Sequence, residues 1–320
     1  MTRLVFALVG AGSMGALHAR VLSSHPHTRL GSIIDTDRVR AAKLAAEFGG
    51  EPYEHCDEFP TCDCLVVASP TPSHMSWAMR AIGEGTPVLI EKPISEELAE
   101  TTKVLNAAHD AGVPVSCGFV ERFNPVLCEA LRIATDTVHL SVVRHSPYVE
   151  RIRTGVASDL LIHDIDLALR LGGDDPVRVS SVLSSAHPSS EPGAEDLAEA
   201  QLSFGSGLVA SLSASRIAQR KVRSATFAEL DRSVEADLLR NDLVVYRHIG
   251  NALVGEGGGG YRQQTVMEIP LIPPAKEPLV AQLDHFLEII AGRQDAEAEI
   301  RGVLAPHRVL ELIRAAARTP

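Results

Sequence analysis

The chain has no long run of basic residues, and its formal net charge is −11 over 320 residues. Nucleic acids and anionic membranes are therefore poor partners for it. No apolar run reaches the length that a membrane span needs. Cysteine is sparse: Cys56, Cys62, Cys64, Cys117 and Cys128 make an odd count, and only Cys62 and Cys64 stand close together. Zinc sites draw on paired cysteines or Cys/His sets. With no second pair, no metal site is expected, and the thiols read as buried or half-buried side chains in a reducing cytoplasm. There is no repeat of solenoid length and no low-complexity domain. What remains, 45% hydrophobic and 22% charged, is an ordinary globular composition with chain enough for two domains.

What is present declares itself at once. The apolar run Leu4 to Val9 has strand length and leads into Gly10-Ala11-Gly12-Ser13-Met14-Gly15, which fits G-x-G-x-x-G. The first glycine permits a tight turn, the second a close approach of pyrophosphate to the backbone, and the third close packing of helix on strand. Amide groups at the helix start then face the phosphates. Met14, Leu17, Val21 and Leu22 mark that helix. A second strand, Leu30 to Ile34, ends in Asp35, which suits the ribose hydroxyls of NAD and repels the 2′-phosphate of NADP. Arg38 and Arg40 soften that preference. A secretory signal with cleavage near Ala16 to Ala19 would explain neither the glycine spacing nor Asp35.

Further along, Leu65 to Ala68 ends in Ser69-Pro70-Thr71-Pro72-Ser73-His74, a polar turn at the carboxyl end of a strand, where doubly wound sheets bind ligands. Ser69, Thr71 and His74 are candidate cofactor-lining residues, with His74 read as structural or lining rather than catalytic. Val88 to Ile90 leads into Glu91-Lys92-Pro93. A lysine there sits over the crevice where the nicotinamide lies, although an exposed surface lysine would look the same. Five strand candidates alternate with four helical ones, predicting a parallel sheet covered on both faces over residues 1–120.

The pattern changes after that point. A helix over 125–133, a strand over 138–145 and a polar loop over 146–158 carrying Arg151 and Arg153 precede a helix running from Asp159 to Leu171. Asp159 and His163 lie four apart on one helical face, with Asp164 and Asp166 nearby. A neighbouring carboxylate orients an imidazole and raises its pKa, as a general base requires. A solvated acidic face holding a satisfied histidine fits the same spacing. Short strand candidates then fill residues 177–248, predicting a largely antiparallel sheet. Two amphipathic helices over 279–291 and 306–317 complete a second domain over 121–320.

The fingerprint, Glu91-Lys92-Pro93 and the Asp159/His163 pair, in that order, resemble the Gfo/Idh/MocA family of oxidoreductases along essentially the whole chain. The resemblance implies an α/β fold: a Rossmann doubly wound parallel sheet plus an α+β domain with a large, mostly antiparallel open sheet. It implies that Lys92, Asp159 and His163 are catalytic on a sugar or cyclitol hydroxyl, with Lys92 and His163 able to exchange the role of proton acceptor. Glu91 and Lys92 join Gly10, Gly12, Ser13, Met14, Gly15 and Asp35 as cofactor-side residues. The pattern departs at Leu161, where many members have glycine.

Gly118 to Pro125 together with Glu150 to Arg153 is similar, more narrowly, to nucleotide-sugar oxidoreductases of the UDP-N-acetylglucosamine 3-dehydrogenase kind, which often have histidine in place of Phe119. This likeness makes Arg122, Asn124, Arg151 and Arg153 substrate-side candidates, two loop arginines suiting a diphosphate. The expected protein is a cytoplasmic NAD-dependent dehydrogenase of a sugar or nucleotide sugar. It is expected to form a homo-oligomer, a dimer or tetramer, because the open sheet needs covering. The alternatives are a free-sugar or inositol dehydrogenase and a non-catalytic sensor of dinucleotide or sugar.

Overall fold

The computed structural model describes residues 3–55, 58–150, 153–253 and 261–318. The chain divides into two compact units, one made of residues 1–120 and 276–308, the other of 121–275 and 309–320.

The first unit alternates strand and helix: β1 (Leu4–Val9), α1 (Ser13–Ser24), β2 (Thr28–Ile34), α2 (Arg38–Phe48), β3 (Glu51–Tyr53), β4 (Cys64–Val67), α3 (His74–Gly83), β5 (Val88–Ile90), α4 (Leu98–Ala111) and β6 (Val115–Cys117). The strands form one parallel sheet in the order β3-β2-β1-β4-β5-β6. This is the doubly wound order whose chain reversal falls between β1 and β4. β4 and β5 are buried throughout and β1 from Phe6 onward, as a sheet covered on both faces requires. Phe6 and Leu8 of β1 face a cluster that includes Ala19, Val21 and Leu22 of α1 and Ala41 and Leu44 of α2. The helix face of α1 is rotated from the expected one: His18 is buried and Leu17 is 43% exposed.

The second unit holds α5 (Pro125–Ile133), β7 (His139–His145), a π-helical turn (Ala157–Leu161) running into α6 (Ile162–Gly172), and then β8 (Arg178–Ser184), β9 (Leu197–Ser203), β10 (Val209–Ser215), β11 (Val222–Ala228), β12 (Ser233–Asp237), β13 (Asp242–Leu253) and β14 (Tyr261–Glu268). Its eight strands run β14-β13-β12-β11-β7-β10-β9-β8, antiparallel except for the β7–β10 pair. One face is apolar, with Leu140 and Val142 on β7 and Ala198, Ala200 and Leu202 on β9. Helix α5 packs on β12 and β13, and α6 on β10. The other face is polar, carrying Ser141, Glu199, Gln201 and Thr226. The α/β class expected from the sequence is what the chain adopts, a parallel Rossmann sheet and a mostly antiparallel one.

Helix α7 (Pro278–Ile290) buries Leu279, Leu283 and Phe286 in the cluster beneath β1, and residues 276–308 join the first unit rather than a second domain expected over 121–320. An amphipathic stripe declares that a helix packs but not on which sheet. Helix α8 (Ala296–Ala317) begins ten residues ahead of the expected Pro306, which lies inside it. Two strands were not anticipated. β3 is three exposed residues with Pro52 at its middle, and β14 lies in a polar stretch.

Candidate cofactor and catalytic sites

The glycine-rich loop is built as the spacing predicts, and each glycine has its own reason. Gly10 adopts φ +98°, and a Cβ there would lie 2.5 Å from the Ser69 amide nitrogen. A Cβ on Gly15 would lie 1.9 Å from the Gly10 carbonyl oxygen. A Cβ on Gly12 would meet no atom of the protein within 4 Å. Gly12 is thus open on its Cβ side, at the start of a helix whose first turn has no acidic residue and whose cap offers no side-chain acceptor. Free amides and the positive end of the helix dipole fit a pyrophosphate. Ser13 and Met14 stand exposed and half-exposed at this turn. Asp35, just past β2, accepts from the Ala11 amide at 2.7 Å and from the Asp37 amide at 2.8 Å, with Arg40 at 3.3 Å. Its carboxylate is thereby aimed at the loop, where the ribose of NAD would be held.

Two more loops leave the carboxyl ends of β4 and β5. Ser69 and Ser73 join side chains at 2.6 Å across the first, and Thr71 opens the 3-10 turn between them. The second carries Glu91, Lys92 and Pro93, with a cis peptide before Pro93. Three buried histidines hold it. His18 of α1 meets the Glu91 carboxylate at 2.8 Å, His307 of α8 accepts from the Ile94 amide at 3.2 Å, and His74 of α3 reaches the Pro93 carbonyl at 2.8 Å. The other ring nitrogen of His74 lies 2.7 Å from the Ser69 carbonyl. Burial, the strongest influence on that imidazole, holds its pKa below the ordinary value with help from the charge of Lys92, against the pull of the two carbonyls and Glu91. Lys92 is half-buried at the tip. Gly118 lets the chain pass so close to Glu91 that a Cβ would sit 2.5 Å from its carboxylate.

In the second unit Asp159 lies in the π-helical turn and His163 in the first turn of α6, both half-exposed. The expected regular helix from Asp159 is thus wider for its first turn, a feature frequent at functional sites. The turn is anchored from a distance: Glu195 accepts the Ala157 amide at 2.8 Å through its carboxylate and the Val156 amide at 2.9 Å through its carbonyl. Leu161 has φ −64° and is fully buried, a backbone conformation that needs no glycine.

The flanking carboxylates are not the imidazole's partners that their spacing suggests. Asp164 takes a two-pronged bond from Arg144 at 2.8–3.1 Å, and Asp166 takes one from Arg122 at 2.7–3.1 Å. Arg144 also donates to Glu121 at 2.8 Å. Burial pushes the Asp164 carboxyl up, against the pull of Arg144. Burial also pushes Glu121 up, but Arg144, Asn124 and Arg223 together hold it below the ordinary carboxylate range.

These contacts revise the substrate-side candidates. Arg122 is turned onto Asp166, and Asn124 caps α5, accepting from the Val126 amide and donating to Glu121, each at 3.0 Å. Arg153 is exposed, with Glu191 at 3.6 Å. Arg151 and Cys56 lie outside the described residues. Arg144, His18 and His307 were not anticipated. Arg144 had a visible signal, since it stands in the inward phase of β7 with Leu140 and Val142. Cys64 is buried, which pushes its thiol up to about 12, and its neighbour Asp63 ties β1 through the Val5 amide at 2.7 Å. Among the described residues no group of three His, Cys, Asp or Glu side chains could hold a metal ion. No helix among them is long and apolar enough to cross a membrane.

Residues 4–119 match the model of the oxidoreductase family with the NAD-binding Rossmann fold, and residues 137–230 match that of the GFO/IDH/MocA C-terminal domain. The chain belongs to the Gfo/Idh/MocA family. It is a NAD-binding oxidoreductase, and its fold is that of the family. Among Gfo/Idh/MocA proteins it is 29% identical over 304 residues to the UDP-N-acetylglucosamine 3-dehydrogenase of Acidithiobacillus ferrooxidans, covering 92% of this chain and 91% of that one. A crystal structure of that enzyme superimposes with a TM-score of 0.82 at 25% identity, covering 99% and 98% of the two chains. The scyllo-inositol 2-dehydrogenase (NAD(+)) of Bacillus subtilis is 29% identical over 229 residues, 66% of each chain. A protein from gentamicin A biosynthesis, solved in complex with NAD, shares the fold with a TM-score of 0.82 at 23% identity, covering 100% and 95%.

Proposed function

We propose that the protein is a dehydrogenase that oxidises a secondary hydroxyl of a nucleotide sugar resembling UDP-N-acetylglucosamine. The observation that carries this reading is the nearly end-to-end match to the Acidithiobacillus ferrooxidans enzyme, whereas the inositol dehydrogenase matches 66% of either chain.

In this reading Lys92, Asp159 and His163 are the catalytic set. NAD, when bound, supplies the acceptor for the hydride that leaves the carbon. His163 takes the hydroxyl proton, Lys92 donates a hydrogen bond to the developing alkoxide, and Asp159 orients the proton acceptor. Exchanging the roles of Lys92 and His163 preserves the proton balance. Gly10, Gly12, Ser13, Met14 and Gly15 would cradle the pyrophosphate and Asp35 the adenosine ribose, favouring NAD over NADP; Ser69, Thr71, His74 and Glu91 would line the nicotinamide side. Arg151 and Arg153 suit a diphosphate. Arg122 and Asn124 contribute by setting the backbone at the head of α5. The polar open face of the eight-stranded sheet is proposed to meet a second copy in a cytoplasmic homo-oligomer.

The test is NAD reduction followed by absorbance across UDP-sugars, free sugars and inositols, with NADP in parallel. Activity confined to UDP-sugars is expected. Activity on free sugars or inositols alone would overturn the nucleotide-sugar assignment. No turnover on any of them, with ligand binding intact, would point instead to a sensor of dinucleotide or sugar.

A further inference from the structure

Arg144 has a second arginine for a neighbour. Arg223 on β11 stands directly opposite it across the antiparallel ladder, so both side chains leave the sheet on the same face. That is the inner face, where Ala225 and Phe227 of β11 are buried and on which α6 and the turn bearing Asp159 pack through β10. Like charges directly opposed in a sheet work against folding. A solvated surface arginine would sit one residue away, on the polar open face. Arg223 is instead in the inward phase of its strand, with 40% of its side chain still open to solvent.

The two arginines use their donors differently. Arg144 donates to Asp164 and to Glu121. Arg223 has a carboxylate oxygen of Glu121 at 3.7 Å, beyond hydrogen-bond reach, and that carboxylate already accepts from Arg144 on Oε1 and from Asn124 on Oε2. Among the described residues the Arg223 guanidinium donates no hydrogen bond. Its five N–H donors are therefore unspent on the protein. We infer that Arg223 is a substrate-binding residue, which receives a negatively charged group of the substrate, a phosphate or a carboxylate, on the face that carries Asp159 and His163.

The neighbours of Arg223 hold it in place without consuming it. Burial and the charge of Arg144 pull its pKa down, while Glu121, Asp164 and Asp159 pull it up. An arginine starts so high that it stays charged throughout the working range. Asp164, which Arg144 binds, is the residue after His163 on α6, so the facing arginine lies one strand further along the same face. An arriving anion would gain a charge-assisted, two-pronged bond from the guanidinium fork and would offset the repulsion between the two arginines. A neutral hydroxyl gains less from the same donors. Sequence spacing pointed to Arg122 for this task, but Arg122 is already closed on Asp166. The inference rests on the reading of Asp159 and His163 as the place of reaction.

The experiment is calorimetry on the full-length protein saturated with NAD, using two pairs of ligands: UDP-N-acetylglucosamine against N-acetylglucosamine, and glucuronate against glucose. Arg223→Gln is expected to weaken the charged member of one pair roughly 10- to 100-fold and to leave the uncharged members within a few-fold of wild type. A loss in the first pair makes the bound group a phosphate, and a loss in the second makes it a carboxylate. Arg223→Lys, which keeps the charge without the fork, is expected to fall between the two. The unfolding midpoint of Arg223→Gln is expected at or above that of wild type, because the repulsion with Arg144 is gone and Glu121 keeps both of its hydrogen bonds. A wild-type protein that binds neither charged ligand would overturn the inference. So would equal losses for charged and uncharged ligands with a lowered midpoint, the mark of an arginine that serves only the fold. UDP-N-acetylglucosamine bound equally well by wild type and Arg223→Gln, with glucuronate unaffected, would remove Arg223 and leave the nucleotide-sugar reading. A loss confined to glucuronate, with no binding of the UDP-sugar by wild type, would keep Arg223 and remove that reading.

Discussion

Arg144→Met tests whether the buried charges beneath β7 are a load on the second unit or its lock. Arg144 is 3% exposed and Asp164 is 1% exposed, and they share a two-pronged bond at 2.8–3.1 Å, with Glu121 on a third donor at 2.8 Å. Methionine fills much of the arginine's stem but leaves Asp164 buried without its cation. Breaking such a pair costs about 3–5 kcal/mol. With an m value of about 3 kcal/mol per molar urea, the unfolding midpoint of this unit should fall by roughly 1–2 M.

The pH dependence carries the sharper test. Burial already pushes the Asp164 carboxyl up, and losing Arg144 removes the largest downward pull on it. A carboxyl raised above its unfolded value binds a proton more tightly when folded, so its penalty is absent at low pH and fully present once pH exceeds the raised value. The deficit of Arg144→Met should therefore be clearly smaller at about pH 5 than at about pH 8. Glu121 works the other way in the wild type: its lowered pKa adds stability that is lost as pH falls through the carboxylate range. Adding Asp164→Leu should return most of the lost stability at neutral pH. A midpoint within about 0.3 M of wild type, or a deficit equal at both pH values, would refute the reasoning.

Gly12→Ala and Gly15→Ala should separate ligand space from protein space: the first should leave the melting temperature unchanged and weaken NAD binding at least tenfold by calorimetry, whereas the second, with its Cβ forced on Gly10, should lose several degrees. Asp35→Ser should cost about 1.5–3 kcal/mol of NAD binding, roughly 10- to 100-fold in KM, and should raise the NADP to NAD ratio of kcat/KM; an unchanged ratio would leave Asp35 only its bond to the Ala11 amide. Lys92→Ala and His163→Ala should each abolish turnover with NAD affinity largely intact, and turnover near wild type in either would end the catalytic assignment.

What could be seen in the sequence was local. A strand, three glycines and an acid at the end of the next strand sit within one stretch of chain, so Gly10 to Asp35 announce the cofactor fold, and Glu91-Lys92-Pro93 follows its strand directly. What stayed hidden depended on distance or on backbone form. Arg122 looks like an anion binder until Asp166, on another helix, is brought to it, and Asn124 looks like a ligand contact until it is seen capping α5. The π-helical turn under Asp159 has no composition of its own, because residue 195 anchors its start. β3, three exposed residues at the sheet edge, has no apolar pattern to show.

The return of residues 276–308 to the first unit has a consequence during synthesis. A ribosome that has made residue 120 has produced all six parallel strands, but Leu279, Leu283 and Phe286, which close the apolar layer beneath β1, are still untranslated. At the usual pace of elongation, the wait for α7 lasts on the order of 10 to 30 seconds. The nascent sheet spends that time with greasy surface open to chaperones and to neighbouring chains, and the helices made last seal the strands made first.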